Sequence, residues 1–240
     1  MSAPEATDVM ILCGGRGTRL RESAETIPKP LVEIGGRPIV WHVVRLYAAH
    51  GFRRFILLTG HRAELIEGFA AAERWPEGVQ VETVFTGEDT QTGGRVHAAR
   101  ERLNERTFCV TYADGVSDLD LSLELREHER AEHLATMAVV RPELQFGVTE
   151  LDDSGSVTGF REKPRSDHWI NGGFFCFEPG VLSYLSESSV LEREPLEALA
   201  SDGQLRAHRH TGFWECMDTY KDAVTLNDLW ASGAPWRNWE

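Results

Sequence analysis

Gly14-Gly15-Arg16-Gly17-Thr18-Arg19-Leu20 follows directly on a short apolar run, and its chemistry is that of an anion cradle. Glycines let backbone N–H groups turn toward a ligand, and Arg16 and Arg19 add positive charge. A purely structural turn would use the same glycines. No Gly-Lys-Ser/Thr follows, so this is not a Walker loop. Leu20 stands where a dinucleotide fingerprint has its third glycine, and Pro28 and Pro30 oppose an immediate long helix. Pro28-Lys29-Pro30 mounts a compact cation between two stiff residues, suited to a phosphate if it points inward and to a surface turn if it does not.

Asp114, ahead of Gly115, follows the strand expected over 108–112, at the carboxyl end where open α/β sheets bind ligands. A carboxylate there suits magnesium, which is commonly held by one or two carboxylates and substrate phosphates; a turn or helix cap is the alternative, and Asp118 and Asp120 fit that alternative better. Further on, Glu162-Lys163-Pro164 closes an expected hairpin. Asn171-Gly172-Gly173 lies in a strand, where Asn171 offers hydrogen bonds to a hydroxyl and the glycines admit a close approach or a bulge. Asp218 is either a second carboxylate or the start of the last helix beside Thr219. His208 and His210, spaced i, i+2 without a partner motif, read as surface residues.

The elements that must position these residues follow from periodicity. A buried strand over 8–13 feeds the glycine loop. Ile39, Val43, Leu46 and Tyr47 recur at helical spacing between Pro38 and Gly51. A strand over 55–58, a helix carrying Leu65, Ile66 and Phe69, a strand over 79–85, a helix carrying Val96, Ala99 and Leu103, and a strand over 108–112 continue the alternation. Such regular exchange predicts right-handed crossovers and a doubly wound, mostly parallel α/β sheet with helices on both faces. Asp120 reads as the N-cap of a helix with Leu121, Leu125 and His128 on one stripe, followed by a buried strand over 134–140.

Beyond that point the pattern is mixed, and a smaller β portion is expected. Segments 146–151 and 157–161 flank the turn Asp152-Asp153-Ser154-Gly155 as an antiparallel hairpin, and a strand over 170–177 follows. Helical stretches over 179–185 and 192–200 precede a last strand near 205–208 and a terminal helix over 219–230. Without a linker, low-complexity tract or internal repeat, one continuous domain over 1–240 is expected.

The chain has 240 residues, with 25 Lys+Arg against 38 Asp+Glu and a formal charge of −13, which argues against nucleic acid and anionic membranes as partners. With 41% hydrophobic and 26% charged residues it reads as an ordinary globular protein, and its apolar runs are far too short to span a bilayer. The N-terminus lacks a signal peptide's basic start and apolar centre, so a cytoplasmic location is expected. Cys13, Cys109, Cys176 and Cys216 form no C-x-x-C pair and read as reduced packing residues.

Taken in order, the Gly-Gly-x-Gly-Thr-Arg-Leu loop, 29–36 (Lys-Pro-Leu-Val-Glu-Ile-Gly-Gly), Thr92-Gly93-Gly94-Arg95, Tyr112-Ala113-Asp114-Gly115, Glu162-Lys163-Pro164, Ile170-Asn171-Gly172-Gly173-Phe174-Phe175, Gly212-Phe213-Trp214, Met217-Asp218-Thr219 and the ending 234–240 resemble the sugar-1-phosphate nucleotidylyltransferases. Within that family the chain is most similar to the glucose-1-phosphate cytidylyltransferase branch. The resemblance implies a Rossmann-like fold in which a nucleotide-binding half (about 8–140) precedes a sugar-binding half (about 141–240). It implies transfer of a nucleotidyl group, from CTP in this branch, to glucose 1-phosphate, giving CDP-glucose and pyrophosphate, with Mg²⁺ as cofactor and a homo-oligomer as the assembly.

By the same resemblance Leu12, Gly14, Gly15, Gly17, Thr18, Arg19, Thr92 and Gly93 contact the nucleotide. Arg19 lies near its β- and γ-phosphates, and Lys29 near the reacting phosphate. Asp114 and Asp218 hold the metal, Lys163 contacts the sugar phosphate, and Glu162, Asn171 and Gly172 face the sugar. Two departures stand out: only 86–91 separates the strand over 79–85 from Thr92, and Ala113 replaces a glycine. Another nucleotide and sugar, a catalytically silent relative and a glycosyltransferase using Asp118-Leu119-Asp120 are the competing readings.

Overall fold

The computed structural model describes residues 4–16 and 27–239. Strand β1 (Asp8–Leu12) is buried along its whole length, as a central strand covered on both faces must be. Its side chains alternate as the pleat requires: Val9 and Ile11 enter one core, Met10 and Leu12 the other. A short antiparallel pair, β2 (Glu33–Ile34) and β3 (Arg37–Pro38), leads into α1 (Ile39–Ala49), β4 (Arg54–Thr59), α2 (Ala63–Ala72) and β5 (Gln80–Phe85). Then come α3 (Thr92–Ala98), β6 (Phe108–Tyr112), β7 (Gly115–Ser117), α4 (Leu121–Glu129) and β8 (Ala135–Val140). The remainder is β9 (Val148–Leu151), β10 (Val157–Arg161), β11 (Ile170–Phe177), α5 (Glu194–Ser201), β12 (Leu205–Arg209), β13 (Trp214–Cys216) and α6 (Tyr220–Ala231).

Seven strands form the main sheet in the order β12-β8-β11-β6-β1-β4-β5. β11 runs antiparallel to both neighbours, and every other pairing in this sheet is parallel. Helices α1, α2 and α4 pack one face around Val43, Tyr47, Ile66 and Leu125; α3 and α5 pack the other around Val96, Leu196 and Leu199. The expected doubly wound, mostly parallel α/β sheet is therefore present, with β9–β10, β7–β13 and β2–β3 as small antiparallel additions. From β1 the chain winds outward through β4 and β5, then returns to the other side of β1 with β6. That reversal opens a crevice at the carboxyl ends of β1 and β6.

Several expectations need adjustment. The helix expected to carry Leu103 ends at Ala98 and tightens into a 3₁₀ turn, Arg100–Arg102. β13, which the sequence pattern did not announce, pairs with β7 through Trp214↔Ser117 and Cys216↔Gly115. Among the described residues no helix is long and apolar enough to cross a membrane.

Residues 234–239 dock on α1 around His42, which is fully buried with Trp41, Trp230, Trp236 and Trp239 at ring-centroid distances of 4.8 to 6.4 Å. Its Nε2–H donates to the Ile34 carbonyl (2.8 Å), and Nδ1 accepts from the Trp236 indole N–H (3.4 Å), so both ring nitrogens are used by the neutral form. Burial pushes the His42 pKa down to about 4. The unfolded imidazole takes its proton near pH 6.5 while the folded one refuses it until about pH 4, so stability is full above the first value and is lost as pH falls toward the second. We expect unfolding in urea to show a loss of about 2 kcal/mol from this residue between pH 7.5 and pH 5. The loss should shrink in His42→Asn; equal pH dependence in the two proteins would refute it.

Candidate active site

A cavity of about 530 Å³ opens at the crevice between β1 and β6, lined by Leu12, Gly14, Gly15, Lys29, Thr92, Tyr112, Asp114 and Asp218 among others. That is the size and place of a small-molecule site. Of the residues singled out from the sequence, these come together. Gly17, Thr18 and Arg19 lie outside the described residues. Gly93 is buried but does not line the cavity: a Cβ there would sit 2.8 Å from Ser189 Cβ, so its missing side chain serves the docking of 187–191.

Lys29 begins a 3₁₀ turn, Lys29–Leu31, closed by Leu31 N–H donating to the Pro28 carbonyl (2.8 Å). This mount carries the side chain inward, where Nζ lies 2.5 Å from Asp114 Oδ2 and 2.7 Å from Asp218 Oδ1. The two aspartates are brought together by β13 pairing with β7, and Met217 N–H donates to the Asp114 carbonyl (2.9 Å). Asp218 does not cap α6; Thr219 does, its hydroxyl accepting from Asp222 N–H while Asp222 Oδ2 accepts from the Thr219 and Asp218 N–H groups. Burial opposes the charge on Lys29, but the two carboxylates more than offset it and hold the ammonium's pKa above its ordinary value.

Among the described residues no cluster of three or more His, Cys, Asp or Glu side chains forms a cage for a metal. The donor set is instead two hard carboxylates already gathered around one positive charge, which is what a cation that keeps its waters and substrate oxygens requires. No thiol is set up for nucleophilic attack. Burial, and then Asp114, push the Cys13 thiol far up; burial, and then Asp218, push Cys216 to about 12.

Arg95, which sequence reasoning quoted but gave no task, is almost wholly buried at the cavity floor. Its guanidinium donates to the carbonyls of Gly14 (2.9 Å), Thr59 (2.9 Å), Gly87 (2.8 Å) and Glu88 (3.3 Å) and to the Thr86 hydroxyl (2.8 Å). One cation thus ties together the loops that leave β1, β4 and β5. A Cβ at Gly14 would fall 2.1 Å from its Cζ, so the glycine makes room for the strut as well as for a ligand. Arg16, expected to add charge for an anion, is instead paired with Asp89 (2.7 Å) and Glu88 (3.7 Å) across the cavity mouth.

The residues assigned to the sugar lie elsewhere. Glu162 and Lys163 are exposed beyond the end of β10, 4.0 Å apart and not on the cavity wall, with Lys163 in the left-handed region at φ +43°. Asn171 reaches the wall indirectly, its Nδ2 donating to the Tyr112 hydroxyl (3.4 Å). Gly172 is pressed against β8, where a Cβ would meet the Ala138 carbonyl at 3.1 Å. His208 and His210 are not free surface side chains: their rings are mostly buried against Glu127 (2.9 Å) and Asp118 (2.8 Å).

The profile of the family described as Nucleotidyl transferase matches residues 8–231. A probable glucose-1-phosphate cytidylyltransferase of Bacillus subtilis (strain 168) is 37% identical over 252 residues, covering 96% of this chain and 99% of that protein. The glucose-1-phosphate cytidylyltransferase of Salmonella typhi is 38% identical over 259 residues, again covering 96% and 99%. Among solved structures, a putative glucose-1-phosphate thymidylyltransferase from Bacillus anthracis in complex with a sucrose superposes with a TM-score of 0.73 at 18% identity, covering 98% of both chains, a likeness of fold.

Proposed function

The chain belongs to the nucleotidyl transferase family, and from that premise we propose that it transfers the cytidylyl group of CTP to α-D-glucose 1-phosphate, giving CDP-glucose and pyrophosphate. Its substrates are small molecules. The observation that carries the reading is the convergence of Lys29, Asp114 and Asp218 beside the glycine turn at the sheet's switch point. A phosphate oxygen of the sugar phosphate attacks the α-phosphorus in line; a new P–O bond forms as the bond to the β-phosphate oxygen breaks, and pyrophosphate leaves. Such a transfer asks for positioning and charge neutralisation rather than a protein nucleophile, in agreement with the raised thiols.

In this reading Asp114 and Asp218 hold Mg²⁺, which supplies positive charge to the triphosphate when bound. Lys29 neutralises the reacting phosphate. Leu12, Gly14, Gly15 and Thr92 form the nucleotide side, with Gly17, Thr18, Arg19 and Gly93 assigned to it by the family resemblance. Glu162, Lys163, Asn171 and Gly172 are assigned to the sugar on the same ground, which requires the arm bearing Lys163 to approach the cavity. Homo-oligomeric assembly in the cytoplasm belongs to the same proposal; exposed Phe146, Leu151, Val157 and Phe160 in and around the β9–β10 arm provide apolar surface for it.

The test is pyrophosphate release with Mg²⁺ from a grid of CTP, UTP, dTTP, GTP and ATP against several sugar 1-phosphates. CTP with glucose 1-phosphate should be the fastest pair. Equal rates across nucleotides would overturn the substrate assignment, and silence of every pair would overturn the reaction.

A further inference from the structure

Tyr112 ends β6 and forms part of the cavity wall, two residues before Asp114. Its ring is seated on backbone: Gly173, at φ +82°, occupies the bulge of β11, and a Cβ there would lie 2.6 Å from the ring. Phe175 meets the ring edge-on at a centroid distance of 6.0 Å. The tip of the ring is fixed from the opposite side of the cavity wall, by a residue that no sequence motif marked. The Tyr112 hydroxyl donates to one carboxylate oxygen of Glu192, and the Thr92 hydroxyl donates to the other (2.7 Å). Thr92 Oγ1 accepts in turn from Leu191 N–H (2.9 Å), and the Tyr112 oxygen from Asn171 Nδ2 (3.4 Å).

One exposed carboxylate therefore joins four segments: β6, β11, the start of α3 and the loop before α5. Thr92 stands on the side proposed for the nucleotide and Asn171 on the side proposed for the sugar. We propose that Glu192 is a positioning residue for the transfer reaction, fixing through Tyr112 and Thr92 the wall that the two substrate sides share. Because both hydroxyl protons are spent on Glu192, Tyr112 and Thr92 have none left to donate and can meet a ligand only as acceptors. They accept from a ligand's hydroxyl or amino groups and disfavour its phosphate and carbonyl oxygens.

The inference rests on the proposed function, and the test separates the two. Glu192→Ala, Glu192→Gln, Tyr112→Phe and the double variant Glu192→Ala/Tyr112→Phe are compared in KM for each substrate, in kcat and in thermal midpoint. Glu192→Ala should raise both KM values on the order of tenfold, with kcat within about threefold. Glu192→Gln, whose amide oxygen still accepts from Tyr112, should recover most of the loss. The double variant should be no worse than Glu192→Ala, since residues acting through one contact are not additive. Unchanged KM values in an otherwise active enzyme, or fully additive losses, would each overturn the role of Glu192 while leaving the proposed function standing. A wild-type protein that releases no pyrophosphate from any pair would overturn both.

Discussion

Replacing Lys29 with methionine is expected to lower pyrophosphate release by on the order of a hundredfold or more, as loss of a charge contact to a reacting phosphate does. The same change should tighten Mn²⁺ binding by the nucleotide-free protein at least about tenfold. The two effects have one cause. The Lys29 ammonium lies against both Asp114 and Asp218, so the carboxylates proposed for the metal already have a cation. A divalent ion arriving alone must displace it, whereas a triphosphate arriving with the ion offers the ammonium a new partner. Titration of Mn²⁺ by electron paramagnetic resonance, with and without nucleotide, reads this directly. Near-normal turnover in Lys29→Met, or an unaltered Mn²⁺ affinity, would contradict the arrangement.

Arg95→Ala should cost on the order of 3 kcal/mol of stability, because it removes a charged donor from four carbonyls and a hydroxyl, of which the Gly14 and Thr59 carbonyls keep other donors in His61 N–H and Thr86. It should also raise the KM for nucleotide by at least about tenfold and leave that for the sugar phosphate less changed, since the loops it ties are those at Gly14 and 86–88. Lysine at this position restores charge but not the planar fork, so Arg95→Lys should recover only part of either quantity. Urea unfolding within about 1 kcal/mol of the parent, or a KM that moves equally for both substrates, would show that the guanidinium is not what sets the floor of the cavity.

How far the molecule was legible beforehand depends on how local each cause is. Apolar periodicity placed β1, β4, β5, β6, β8 and the helices between them within a few residues but gave no sign of the short β2, β3 and β7, and Asp120 does cap α4, its Oδ1 accepting from Leu123 N–H at 2.9 Å. The family motifs pointed to Lys29, Asp114 and Asp218, which the fold gathers around one point. What brings them together was not legible: β13 is three residues long, carries no alternation that would distinguish it from a loop, and exists because β7 lies opposite. The same holds for Glu192, whose partners Tyr112 and Thr92 lie 80 and 100 positions away in the chain. Arg95 stood in a quoted motif, yet its task depends on carbonyls from three separate loops, which no side-chain pattern reveals. His208 and His210 looked unpartnered because Glu127 and Asp118 come from another element of the fold.

The strand order also sets a timetable for synthesis. β1, β4, β5 and β6 leave the ribosome in an order that lets each find a neighbour already made. β8 does not have that advantage: its partners are β11 and β12, so a finished, apolar strand spanning Ala135–Val140 must wait until Ile170–Phe177 has been translated, and β6 keeps one open edge for the same interval. An emerging chain is thus most exposed to mispairing after its first four sheet strands are in place and before β11 threads between β6 and β8. A stall of translation in that stretch would lengthen the hazard more than a stall anywhere earlier.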